Sequence, residues 1–347
     1  MTHYQGGAGN DTFTFVSVTG LTNADSVDGG AGTDTVALTG NNAFAASNYF
    51  DNVSNIETIV LSNSTTAMNI TTLDTLVAAS ATLTLSLSNS VVGNLTFNGS
   101  AETNGAFKIT GGGGNDVITG GSGNDTLAGG LGNDTLSGGA GNDTLSSDSG
   151  IDNFSGESGA DNITLGNSAN DNVQQTVIYN ASSDGAASGV NTGWDSITQF
   201  DANANNTSDD QFKIANALKT LVDDDTDGLL DYSASNNTDS GNQAIVGGAN
   251  QEATVLFDTE IEIAFSDFTT AGLANVTAEL SEEIDFTNIA TGQEHLFVIN
   301  FSTTQTALVL YTASLGGDDL IVAADIQILG IVTHNDGTGL IASNVIF

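Results

Sequence analysis

The sequence predicts an all-β protein. Residues 1–178 should form a parallel β-roll or β-helix solenoid with a regular core at 111–164. Residues 179–347 should form a β-rich C-terminal cap domain with one or two short helices. Three observations carry this reading. Residues 111–164 read in nines without a slip: GGGGNDVIT, GGSGNDTLA, GGLGNDTLS, GGAGNDTLS, SDSGIDNFS, GESGADNIT. Every nonad has Asp at its sixth place (Asp116, Asp125, Asp134, Asp143, Asp152, Asp161) and a large apolar residue at its eighth (Ile118, Leu127, Leu136, Leu145, Phe154, Ile163). Short segments with strand alternation, such as TLTLSLS at 82–88, flank the repeats.

The nonad divides into a turn and a strand. Places one to six are turn chemistry, where glycine supplies positive φ and lets backbones approach closely. Places seven to nine make a strand about 10 Å long at roughly 3.3 Å per residue. Side chains alternate along it, so the eighth points inward and its neighbours outward. One nonad gives one side of a flattened coil and two close it, so the coil should repeat every two nonads.

That arrangement stacks Asp116, Asp134 and Asp152 along one edge, and Asp125, Asp143 and Asp161 along the other. Carboxylates on strands about 4.8 Å apart repel by roughly 3.5 kcal/mol at an effective dielectric near 20. No basic residue is nearby to relieve them, so a cation must. Calcium suits the position because it takes six to eight oxygens, from carboxylates and from turn carbonyls. The competing reading is a polar Asn-Asp turn without an ion.

The stretch resembles the RTX (hemolysin-type calcium-binding) repeats. That resemblance implies one ion between turns two nonads apart. Carbonyls at places two and four with the first Asp would meet carbonyls at places one and three of the later turn with its Asp. The implied sets are Gly112, Gly114, Asp116, Gly129, Leu131 and Asp134; then Gly121, Gly123, Asp125, Gly138, Ala140 and Asp143. A third uses Gly130, Gly132, Asp134, Ser147, Ser149 and Asp152, and a fourth Gly139, Gly141, Asp143, Gly156, Ser158 and Asp161. The fifth nonad departs from the pattern, with Ser147 and Asp148 in place of both glycines.

Two more nonads, GGAGNDTFT from Gly6 and GGAGTDTVA from Gly29, add Gly7, Gly9, Asp11, Gly30, Gly32 and Asp34 as calcium candidates. An inserted loop around residues 19–28 should break the coil period between them. Farther on, DDDTDGLLD (Asp223 to Asp231) matches places 1, 3, 5, 6 and 9 of an EF-hand-like loop through Asp223, Asp225, Asp227, Gly228 and Asp231. Leu229 would offer its carbonyl at place 7. Ala234 stands where the bidentate Glu belongs, and a solvated acidic loop is the alternative.

Between the early nonads and the roll, IETIVL (56–61), TLTLSLS, NLTF (94–97) and AFKIT (106–110) read as irregular rungs of the same solenoid. After it, NTGWDSITQFDANANNTSDDQFKIANAL resembles the D-x-I-x-x-F-D element that follows RTX repeats, through Asp195, Ile197, Phe200, Asp201, Asp210 and Phe212. It should form a strand, a polar loop and a short helix from about Asp209, closing the open end of the roll. A second helix is expected over 270–283. Strands should follow at HLFVINF, ALVLYTA, DLIVA and DIQILGIV. The segment from Ala307 to Val332 resembles the C-terminal part of RTX exoproteins and surface-layer proteins.

Charge narrows the function. Against 42 acids stand three lysines, for a net charge of −39, which argues against nucleic acid or anionic membrane as partner. With no cysteine there is no disulfide framework or thiol chemistry. The N-terminus lacks a cleavable signal-peptide pattern, and the resemblance implies type I secretion from a bacterium. His3, His295 and His334 show no zinc spacing, no nucleophile elbow is present, and catalysis is not expected.

The expected function is a calcium-binding extracellular structural protein that self-assembles at a bacterial surface, as a surface layer or filament. Its partners would be further copies of itself, the type I secretion machinery and a cell-surface polysaccharide. The rival expectation is the calcium-folding and secretion module of a larger RTX exoenzyme or adhesin. The chain begins almost on a repeat, which fits either a piece of a longer protein or one without an upstream domain.

Overall fold

The computed structural model describes residues 2–16, 21–22, 24–39, 50–62, 67–87, 93–166, 173–180, 184, 195–200 and 210–214. Beyond these it describes strands at 232–235, 243–244, 253–256, 284–285, 294–302, 305–312, 326–334 and 345–346. Among the described residues every regular element is a strand. The chain forms two compact units, Met1–Gly156 with Thr164–Gly166, and Glu157–Ile163 with Asn167–Phe347.

The first unit is a parallel coil. One sheet takes Thr12–Phe15, Thr35–Thr39, Thr58–Ser62, Thr82–Ser86, Ala106–Gly112, Thr126–Gly130 and Thr144–Ser146 in sequence order. A second takes Met68–Thr71, Leu95–Asn98, Val117–Thr119 and Thr135–Ala140. Within the repeats, Ile109 pairs with Leu127, Ile118 with Leu136 and Leu127 with Leu145, a pitch of 18 residues. The eighth-place residues Ile118, Leu127, Leu136, Leu145 and Phe154 are all buried. Burying such a side chain is worth about 1.5–3 kcal/mol, so the inward column supplies most of the roll's cohesion.

The irregular coils obey the same rule at other pitches. Phe13 stacks on Val36, Val36 on Ile59, Ile59 on Leu85 and Leu83 on Phe107. On the second sheet Ile70 stacks on Phe97 and Phe97 on Ile118. Phe97 and Phe107 meet edge to face at 5.0 Å. Extra residues are absorbed in the turns while the apolar column stays in register. The insertion near residues 19–28 therefore breaks the 18-residue period, as expected, while the coil itself continues. Ser26–Asp28 is itself a strand parallel to His3–Gln5, and Asp11 bonds to Asp34 at a pitch of 23 residues.

The second unit mixes parallel and antiparallel strands. Asp195–Phe200 runs parallel to Ile326–His334, which pairs antiparallel with Gln305–Thr312, and that strand pairs antiparallel with Glu294–Ser302. The expected strands at HLFVINF, ALVLYTA and DIQILGIV are thus present. Phe212 stacks on Phe200 at 4.7 Å and on Tyr179 at 6.3 Å between ring centroids. The helix expected from about Asp209 is corrected here: Gln211–Ile214 is a strand parallel to Thr176–Tyr179. Phe212 fits a strand because alternation points its ring into the core, and pairing satisfies the backbone. The helix expected over 270–283 and the strand DLIVA lie outside the described residues.

Candidate metal centre

Each glycine turn is organised around its place-six carboxylate. At Gly111 a Cβ would land on Oδ2 of Asp116 and within 2.7 Å of the carbonyl oxygen of Gly129. The spot where a side chain would stand is thus lined by two oxygens. Gly120 meets Asp125 Oδ2 and the Gly138 carbonyl in the same way, and Gly138 meets Asp143 Oδ2 and the Gly156 carbonyl. The early nonads repeat it: Gly6 faces Asp11 Oδ2 and the Gly29 carbonyl, and Gly29 faces Asp34 Oδ2 and the Asn55 carbonyl.

Places two and four bring the other carbonyls. Gly130, at φ 102°, lies against the Gly112 carbonyl, and Gly132, at φ 115°, against that of Gly114. Gly139 and Gly141 lie likewise against Gly121 and Gly123, and Gly30 and Gly32 against Gly7 and Gly9. The amides of Leu131 and Ala140 donate to the Gly112 and Gly121 carbonyls at 2.8 and 2.9 Å. A carbonyl has two lone pairs, so one remains for a ligand. The first two expected sets are therefore drawn together, as are the early-nonad residues.

The third set differs. Ser147 Oγ lies 3.1 Å from Asp134 Oδ2 and 3.2 Å from the Gly130 carbonyl, so its one proton serves one of them at a time. The amide of Asp148 donates to Gly130 at 2.9 Å, and that of Gly132 donates to Ser149 at 2.8 Å. Asp152 is buried beside them. Of the fourth set, Gly139, Gly141, Asp143 and Gly156 lie in the first unit, and Ser158 and Asp161 in the second. Asp223, Asp225, Asp227, Leu229 and Asp231 lie outside the described residues.

A ladder of amide-to-carboxylate bonds holds the acids in place. The amide of Asp116 donates to Oδ1 of Asp134, Asp125 to Asp143, and Asp134 to Asp152, at 2.7–2.8 Å and a constant pitch of 18 residues. This fixes one oxygen of each carboxylate and leaves the other for the turn. The Oδ2 atoms of Asp34, Asp116 and Asp152 are buried and accept no hydrogen bond. Burial, with Asp134 nearby, pushes Asp116 and Asp152 up from the ordinary 3.8 to about 6. Burial raises Asp125 and Asp134 as well.

Buried, unpartnered carboxylate oxygens facing carbonyls call for a hard cation, and the donor set fits calcium. Among the described residues no three acidic or histidine side chains converge, so backbone carbonyls must supply much of any shell. The family model for the RTX calcium-binding nonapeptide repeat matches in four copies, over residues 17–43 and 110–145. The chain carries RTX calcium-binding repeats. Repeats of this family bind calcium. No curated protein matches the chain.

Sequence reading missed several members of the ladder. Glu57 accepts the amide of Asp34 at 2.7 Å, standing where a third Asp would after Asp11 and Asp34. In the second unit Asp195 accepts the amide of Asp161 at 3.0 Å and Asp210 that of Gln175 at 2.8 Å. Spacings of 34 and 35 residues hid these two from a ninefold search. Asp195 behaves unlike the turn acids: burial and the charge of Asp161 push it far above the carboxylate range, and Tyr179 hydrogen-bonds to it.

Proposed function

We propose that the chain is an extracellular, calcium-folded structural protein that assembles with copies of itself at a bacterial surface. The observation that carries the calcium part is the set of buried Oδ2 atoms of Asp34, Asp116 and Asp152. For Asp34 and Asp116 a turn carbonyl, of Asn55 and Gly129, lies at the same spot. Asp116 and Asp152, pushed up by burial to about 6, are ionised at neutral pH only at a cost unless a divalent ion joins them. A cell interior holds far less calcium than the medium outside, so folding would follow export by a type I route.

Assembly rests on charge and on edges. With 42 acids against three lysines, copies repel strongly until divalent ions screen or bridge them. Among the described residues, the strand Thr12–Phe15 is paired on one side only, and an open parallel edge invites another strand. The rival reading, a calcium-folding module of a larger exoenzyme or adhesin, draws on the same turns.

Electron microscopy of the purified chain at millimolar calcium and in chelator tests the choice. Sheets or fibres that form only with calcium support self-assembly. A folded monomer at every protein concentration sinks it and favours the module.

A further inference from the structure

The turn before the first regular nonad lacks the motif yet reproduces its geometry. The amide of Ser122 donates to the Glu102 carbonyl at 3.0 Å, just as Ala140 donates to Gly121 one coil on. A Cβ on Gly121 would stand 2.8 Å from the Glu102 carbonyl, and one on Gly123 would land on that of Gly105. Glu102 and Gly105 therefore hold places two and four of a turn that no nonad search finds. In that coil Phe107 stands at place six: it precedes the pair Lys108 and Thr126, and its amide donates to Oδ1 of Asp125 at 2.7 Å. The ladder thus reaches this coil, but the carboxylate that should stand on it is missing.

Glu102 supplies a carboxylate from place two instead. Its side chain is fully buried, at 0% exposure. Oε1 accepts the amides of Gly105 at 2.8 Å and Asn104 at 3.1 Å, which closes the turn. Oε2 is buried and accepts no hydrogen bond. The nearby groups are acids: Asp125 feels its charge as a repulsion, and Asp74 shares a side-chain hydrogen bond with it from a neighbouring coil. Lys108, the one lysine close in sequence, sits at an exposed position of its strand. Capping the turn accounts for one carboxylate oxygen and leaves the other stranded among acids.

We infer that a further calcium ion binds between this irregular turn and the second-nonad turn one coil on, held by the Glu102 carboxylate, the carbonyls of Glu102 and Gly105, and Asp125. Gly120 and Ser122 stand at places one and three of the later turn and would complete the shell with their carbonyls. All donors are oxygens and their number suits calcium rather than a small octahedral ion. The site would seed the roll, giving the first regular coil an ion on its upstream side. It rests on the reading that the repeat turns bind calcium, and its test separates the two.

The measurement is calcium bound per full-length chain, by equilibrium dialysis and elemental analysis, for wild type, Glu102→Gln and Asp134→Asn. The glutamine keeps the turn-closing acceptor and removes the charge. The expected result is one ion fewer for Glu102→Gln, with the repeat ions retained, and a separate loss for Asp134→Asn. An unchanged count in a folded Glu102→Gln protein overturns the site, while absence of calcium from wild type overturns the calcium reading of the repeats as a whole. Should the variant fail to fold, a crystal structure of wild type grown in calcium decides. Anomalous density roughly 2.3–2.6 Å from Glu102 Oε2 supports the site, and its absence there, with density at the repeat turns, overturns it.

Discussion

The amide of Asp116 donates to Oδ1 of Asp134 across one coil at 2.8 Å, while Oδ2 of Asp116 is buried without a hydrogen bond. Oδ1 of Asp116 in turn accepts the Leu95 amide at 2.7 Å, so one oxygen of this carboxylate is structural and the other waits for a ligand. Folding should depend on that ligand. Each site at a free calcium concentration 100 times its dissociation constant adds about 2.7 kcal/mol of stability. Four such sites would add about 11 kcal/mol, comparable with the whole stability of an ordinary domain. Chelation at neutral pH is expected to weaken the β-sheet circular dichroism signal and lower the melting temperature sharply, and readdition of calcium to restore both. A spectrum unchanged by chelator would contradict the account.

Asp134 belongs to the first and third expected ion sets and accepts the Asp116 amide on Oδ1. Replacement by Asn keeps the shape and an acceptor but removes the charge. Burial penalises the ionised acid, so Asp134→Asn is expected to stabilise the calcium-free protein, by about 1–3 kcal/mol. The same variant should lose stability in millimolar calcium. Denaturant titrations in both conditions read the reversal, and a variant destabilised equally in both would point to packing instead.

The column of apolar residues made the roll legible. Ile109 on Leu127 and Leu127 on Leu145 repeat at the period written in the sequence. The same inward register runs through irregular coils such as Leu83 on Phe107, whose pitch cannot be read because turn insertions shift the phase. That hid Glu57 and Glu102: an acid's place depends on which residue it stacks against, and coil lengths set that. The mistaken helix at Gln211–Ile214 has another cause. Four residues with apolar positions at 212 and 214 satisfy a strand, and Phe212 with Ala215 satisfies a helix; pairing with Thr176–Tyr179 decides between them.

Acid should partly replace calcium. Asp116 and Asp152 have folded-state values near 6 against an ordinary 3.8. Between those values the folded state holds more protons than the unfolded chain, so stability falls as pH rises. The advantage is complete below about pH 4 and gone once pH passes about 6. Calcium-free protein is expected to melt higher at pH 5 than at pH 7.5, and calcium affinity to weaken over the same descent. Melting curves at both pH values, with and without chelator, check the sign. Greater calcium-free stability at pH 7.5 would mean that these carboxylates are not desolvated.

Two glycines of the motif should respond oppositely to alanine. At Gly129 a Cβ would overlap Asp134 Oδ2 and lie 2.7 Å from its Cγ, so the carboxylate must leave the turn. At Gly7 a Cβ would meet nothing within 4 Å, and the carbonyl that faces Gly30 is retained. Gly129→Ala is therefore expected to lower stability in calcium by about 1–3 kcal/mol and to reduce the bound calcium. Gly7→Ala should stay within about 0.5 kcal/mol of wild type. The contrast isolates space for the carboxylate, since neither glycine needs a left-handed backbone. Equal losses at both positions would instead assign the motif glycines a role in backbone freedom alone.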